Sequence, residues 1–161
     1  MRRRWRALRQ LRGPREWSLC ARALLFALAV PLVARLKLST WSRWVERQIQ
    51  AAPRPGAGRQ PYETVLQCVD SALALGTPCV RSTCLVRGLT RYFFLRRAGL
   101  DLSLCFGATL ENGQLVPAPG HCWLEKDGQP FLETGDPRLN FLPIYRLPEM
   151  TAPGPAARPA P

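Results

Sequence analysis

The chain has one histidine, His121, in 161 residues. Any chemistry that couples a thiolate to an imidazole therefore has a single choice of base. The six cysteines, Cys20, Cys68, Cys79, Cys84, Cys105 and Cys122, include no C-x-x-C pair and sit in no small loop-rich frame, so a disulfide scaffold is not indicated. A convincing export signal is also missing, because the basic lead-in is long and positive charge continues at Arg35 and Lys37. In the reducing cytoplasm this implies, most of the thiols are expected to act as small buried hydrophobes. No apolar run is long either. Ala23 to Ala34 spans 12 residues, contains Pro31 and is flanked by Arg22 and Arg35, whereas a spanning helix needs roughly 20. It reads as a packed or interfacial helix.

Acidic residues are scarce in the first third. Residues 1–50 carry 12 Lys+Arg against 2 Asp+Glu, while residues 51–161 carry 11 against 9. Such a segment suits nucleic acid, an anionic membrane face or an acidic peptide. Nucleic acid ranks last, since zinc-finger spacing and RNA-binding signatures are lacking and Trp5, Trp17, Phe26, Trp41 and Trp44 read as anchors beside apolar surface.

What is present fits one modest domain with an appendage. Residues 1–51 form a basic helical segment, expected as two helices broken near Pro31. Residues 52–61 are too rich in proline and glycine for regular structure and form a linker. Residues 62–150 form the core, and 151–161 a disordered alanine and proline tail. Within the core, a helix is expected from Tyr62 to Leu75, stopped by Gly76-Thr77-Pro78, and a second, capped by Ser82 or Thr83, runs to Ala98 and closes at Gly99. Strands follow at Leu102–Leu110, Gln114–Val116, His121–Glu125 and Pro130–Thr134, forming an antiparallel sheet.

Cys84 falls in the first turn of the second core helix, where unsatisfied N–H groups and the positive dipole end favour thiolate over thiol. It is the candidate nucleophile. The loop after His121 then matters. A three-residue Lys126-Asp127-Gly128 loop sets His121 opposite Glu133, so that the carboxylate holds the imidazole as the third member of a nucleophile, base and orienter set. A two-residue Asp127-Gly128 turn sets His121 opposite Thr134 and sends Glu133 to the other face. Asp136, just past Gly135, is the alternative acid. A zinc site would need Cys79, Cys84, Cys122 and His121 to converge, and neighbours such as His121 and Cys122 project to opposite faces of a strand. No metal or other cofactor is expected.

Three stretches go further: Cys84-Leu85-Val86-Arg87-Gly88-Leu89-Thr90, Leu95-Arg96-Arg97-Ala98-Gly99-Leu100, and Gly120-His121-Cys122-Trp123-Leu124-Glu125 with Asp127-Gly128. Together they resemble the transglutaminase-like leader peptidase of lasso peptide biosynthesis, a relative of the papain-like cysteine proteases. The resemblance covers roughly Tyr62 to Ile144, and the basic Leu- and Trp-rich lead-in is similar as well. That family usually has a small residue where Cys122 stands and often aspartate near Glu133.

The resemblance implies an α+β fold in which N-terminal helices precede a core with a Cys-bearing helix packed on an antiparallel sheet. It implies a Cys84, His121 and Glu133 triad that cuts leader from core in a ribosomally made precursor, using no cofactor. It implies as partners the precursor peptide, a separate leader-recognition protein and the lasso cyclase. The basic helices are expected to dock on one of these or on a membrane surface, within the cytoplasm.

Overall fold

The computed structural model describes residues 13–33, 35, 38–52, 60–76, 83–111, 114–115 and 120–148. Most of the proposed linker, the tail and Cys79 lie outside the described residues. The architecture is α+β. Helices α1 (Pro14–Val33), α2 (Leu38–Gln50), α3 (Tyr62–Gly76) and α4 (Cys84–Arg97) precede strands β1 (Ser103–Glu111), β2 (Gln114–Leu115), β3 (His121–Lys126), β4 (Gln129–Phe131) and β5 (Phe141–Leu147).

The helices form one layer. On α1 the residues Cys20, Ala23, Ala27 and Val30 recur at helical spacing and are fully buried. They join Val65, Cys68, Val69 and Ala72 of α3 in a single core that also takes in α2, α4 and the sheet. Pro31 lies in the last turn of α1, and the helix ends two residues beyond it. On α2, Trp41, Val45 and Ile49 lie four residues apart and are buried. Tyr92 of α4 donates its hydroxyl to Glu46 of α2, and burial together with that carboxylate pushes the phenol's pKa up. Arg91 clamps Asp70 of α3 through two hydrogen bonds of 2.8 and 3.0 Å. No helix among the described residues is long and apolar enough to cross a membrane.

The sheet lies beneath α4. β1 is central, pairing antiparallel with β3 from Ser103↔Glu125 to Gly107↔His121 on one side and with β5 on the other. β4 lies outside β3, and β2 pairs with the far end of β1. Side chains alternate between faces. Leu104, Cys122, Leu124 and Leu147 enter the helical core, with Phe106 and Tyr145 against it. On the other face the Trp123 indole donates to Glu125 (3.1 Å), and Glu125 pairs with Arg146.

Sequence reading passes over β5. Pro143 in its middle argues against a central strand, and β5 is accordingly an edge strand whose register shifts opposite Phe106 and Gly107.

Candidate active site

Cys84 is the first residue of α4, and Thr83 caps that helix, its hydroxyl accepting the Val86 N–H at 3.3 Å. The cap fixes where the helix begins and so where the thiol stands. At the other end Gly99 N–H donates to the Arg96 carbonyl and Leu100 N–H to that of Leu95, ending the helix before β1.

The Cys84 thiol is drawn down from an ordinary pKa of 9.0 to about 5. The hydrogen bond with the Cys122 side chain lowers it most, and the Cys122 backbone N–H and the His121 imidazole act in the same direction, against an opposing effect of burial. Cys122 is driven the other way, upward, by the same thiol contact and by burial. The remaining described cysteines, Cys20, Cys68 and Cys105, are raised as well, chiefly by desolvation. Among the described cysteines, Cys84 alone is set up as a thiolate.

This asymmetry predicts a pH profile. Between about 5 and 9 the unfolded chain holds a proton on Cys84 that the native protein has released, so stability rises with pH across that window and the contribution vanishes below about 5. Cys122 acts with the opposite sign only above the ordinary thiol range, being protonated in both states below it. Iodoacetamide should therefore alkylate Cys84 with a midpoint near pH 5, with Cys20, Cys68, Cys105 and Cys122 silent in the native protein. Peptide mass spectrometry across pH reads this directly, and a Cys84 midpoint above pH 8 contradicts it.

His121 heads β3, and its ring is flanked by Trp123, stacked at 6.1 Å and 15°, and by Phe141 at 5.2 Å. Its Nε2 lies 3.6 Å from Glu133 Oε2. That is an ion-pair separation, longer than a hydrogen bond. Both side chains are largely shielded from solvent.

The route by which Glu133 gets there corrects the hairpin reading. The structure takes the two-residue Asp127-Gly128 turn, pairing Leu124↔Phe131, Glu125↔Pro130 and Lys126↔Gln129. Both turn residues have positive φ, 51° and 73°, as a type I′ turn requires. By strand alternation that register removes Glu133 from the face of His121. β4, however, ends at Phe131, and Leu132 adopts φ 63°, in the left-handed region that a leucine rarely enters. The kink re-aims the next residue, so Glu133 returns to the imidazole although the turn is the one expected to prevent it. The expected strand Pro130–Thr134 is cut short for the same reason.

Asp136 is not brought to His121. Its carboxylate accepts the Arg138 backbone N–H at 3.0 Å at the start of a short 3₁₀ turn, Pro137–Leu139, and pairs with the Arg138 guanidinium at 2.7 Å. The guanidinium beside it holds its pKa below the usual carboxylate value. Cys122 is the residue that sequence reasoning undervalued. Strand alternation, which argues against joint metal ligation by His121 and Cys122, does not keep either from Cys84: both influence its thiol, Cys122 through its side chain and backbone and His121 through its ring. Among the described residues, no group of three or more His, Cys, Asp or Glu is arranged to hold a metal ion.

In chemical terms a thiolate at a helix N-terminus, an imidazole that influences it and a carboxylate 3.6 Å from that imidazole can carry out nucleophilic attack, proton transfer and orientation of the base. No curated protein and no solved structure matches the chain at a significant level. The family model for the transglutaminase-like superfamily does match, over residues 26–146, from the middle of α1 to the end of β5. A match of that length, over an α+β fold that agrees with it, makes the chain a member of the transglutaminase-like superfamily, which includes cysteine peptidases.

Proposed function

We propose that the chain is a cysteine peptidase that removes the leader from a ribosomally synthesised lasso peptide precursor. The observation that carries the reading is the Cys84 thiol at the first position of α4, its pKa held low by its neighbours Cys122 and His121, with the imidazole of that one histidine 3.6 Å from Glu133. The motif strings around Cys84 and His121 support the choice of substrate class. In this reading Cys84 Sγ attacks the carbonyl of the bond joining leader to core. The oxyanion is held by backbone N–H groups at the start of α4, donors that a helix leaves free in its first turn. His121 protonates the departing amine, leaving a thioester, and then takes a proton from the water that hydrolyses it. Glu133 keeps the ring oriented and balances its charge when it is protonated. A separate leader-recognition protein delivers the precursor, and a cyclase uses the freed amine. The setting is the cytoplasm, where Cys84 stays reduced.

The test is incubation of the protein and its recognition partner with a full-length precursor, read by mass spectrometry. The expected result is one cut between leader and core. An intact precursor under conditions where Cys84 is alkylated rapidly rejects the reading and leaves a noncatalytic binding module of the same fold.

A second proposal, compatible with the first, concerns docking on an anionic membrane surface. Trp17, Leu25, Leu28 and Leu32 project from the side of α1 opposite its buried face and are exposed, Leu25 and Leu32 at 67% and 65%. A helix apolar on both sides calls for a second apolar neighbour. The surrounding segment carries 12 Lys+Arg against 2 Asp+Glu over residues 1–50, which suits an anionic headgroup layer. The protein should co-sediment at low salt with vesicles of phosphatidylglycerol and phosphatidylcholine but not with phosphatidylcholine alone. Leu25→Glu with Leu32→Glu should release it. Absence of sedimentation at low salt dismisses the idea.

A further inference from the structure

Two thiols of opposite character face each other at the end of α4. Cys84 is partly open to solvent, whereas Cys122 is buried at 3% exposure, and the two thiols lie close enough to push each other's pKa in opposite directions. Neither is in a disulfide. Their approach is built into the packing. Gly88 lies one helical turn after Cys84, over β3, and a Cβ placed there would stand 3.0 Å from Cys122 Sγ and 3.2 Å from Leu104 Cδ1. The absent side chain lets the helix settle on the strand, and it leaves the Cys122 sulfur beside the Cys84 turn.

We propose that Cys84 and Cys122 form an oxidative modification site, in which Cys122 resolves the sulfenic acid formed when a hydroperoxide oxidises Cys84. The inference concerns the two sulfurs alone and holds whether or not the chain cleaves peptides. In the first step the Cys84 thiolate attacks the outer oxygen of the hydroperoxide. The O–O bond breaks, two electrons pass from sulfur to the peroxide, and the alcohol or water leaves with one proton while Cys84 becomes S–OH. In the second step Cys122 gives up its thiol proton and attacks the Cys84 sulfur; an S–S bond forms, the S–O bond breaks and water departs. Two thiols and one hydroperoxide thus yield one disulfide, one alcohol and one water. A thiol reductant reverses it, whereas further oxidation to sulfinic or sulfonic acid is not reversed by simple thiols.

The burial pattern assigns the roles. A half-open thiolate meets the oxidant first, and a sequestered, protonated thiol is reachable by its neighbour but not by peroxide in solution. Among the described cysteines, Cys20 and Cys68 lie in the helical core and Cys105 on the opposite face of the sheet from Cys122, so none of them has that access.

The experiment treats the full-length native protein with hydrogen peroxide, digests it without reductant and reads the peptides by mass spectrometry. A linked pair of peptides containing Cys84 and Cys122 should dominate, and dithiothreitol should return nearly all of Cys84 to an alkylatable thiol. In Cys122→Ser, which keeps the volume beside Gly88, and in Cys122→Ala, Cys84 should pass to sulfinic and sulfonic acid, and dithiothreitol should restore almost none of it. The proposal is overturned if the wild type accumulates sulfinic acid at Cys84 as fast as the variants. A disulfide from Cys84 to some other cysteine, within the chain or between chains, overturns it equally. The wild-type linkage is decisive by itself should either variant fail to fold.

Discussion

Replacing Cys84 by alanine should reduce precursor cleavage by roughly 10⁴-fold or more, because the covalent route disappears with the nucleophile and only binding and oxyanion contacts remain. The fold should survive. Cys84 is only partly buried at the first position of α4, and the Thr83 cap does not involve its side chain. His121→Ala should be nearly as damaging, for no other imidazole exists in the chain to replace it. The double variant should be little worse than either single one, since residues that act as a unit lose their contribution together. Glu133→Gln should cost less, about 10- to 100-fold, because its 3.6 Å contact with His121 orients and balances charge without a tight hydrogen bond. Single-turnover cleavage with far-ultraviolet circular dichroism separates loss of chemistry from loss of structure. Retained cleavage in Cys84→Ala or His121→Ala rejects the peptidase.

The second large effect lies at a residue with no side chain. A Cβ on Gly107 would stand 2.7 Å from Trp123 Cζ3, 2.8 Å from Phe141 Cβ and 2.9 Å from Trp123 Cη2. Trp123 is wholly buried and cannot swing away. Gly107→Ala should therefore lower the unfolding free energy by about 1–3 kcal/mol, as overpacking of a tight interior does. The consequence for activity should be larger than stability alone implies. The two groups struck are the two that flank the His121 ring, and His121 is itself the pairing partner of Gly107 across the sheet. A shift of about 1 Å in the base costs on the order of 10²-fold in rate. Denaturant titration and cleavage of the folded fraction measure the two effects independently. Unchanged cleavage per folded molecule shows that the rings do not position the base.

Much of this was legible in the residues. The extents of α3 and α4, the cap of α4, the first-turn position of Cys84 and the start of β3 at His121 follow from short-range rules, because turn chemistry and helical periodicity act over a few residues. β5 was not legible, since Pro143 argues against a strand until an edge position is available to hold it. The approach of Glu133 to His121 was legible, but by the wrong route. Alternation along a strand predicts which face Glu133 takes only while the strand continues, and nothing in the side chain of Leu132 announces a left-handed backbone. The contact between Cys84 and Cys122 was missed for a related reason. Opposite faces of a strand separate neighbours in its middle, whereas a helix end beside its first residues can meet both.

The left-handed Leu132 makes the third member of the proposed triad independent of the sheet's hydrogen-bonding pattern. Its side chain is substantially exposed, so the swivel rests on one backbone dihedral rather than on packing around it. Relatives could thus gain or lose a residue in the adjoining hairpin and still deliver a carboxylate to the base, provided they keep a comparable joint. Searches that align acids by strand parity would then pick the wrong column, and the trait to follow across the superfamily is the joint itself.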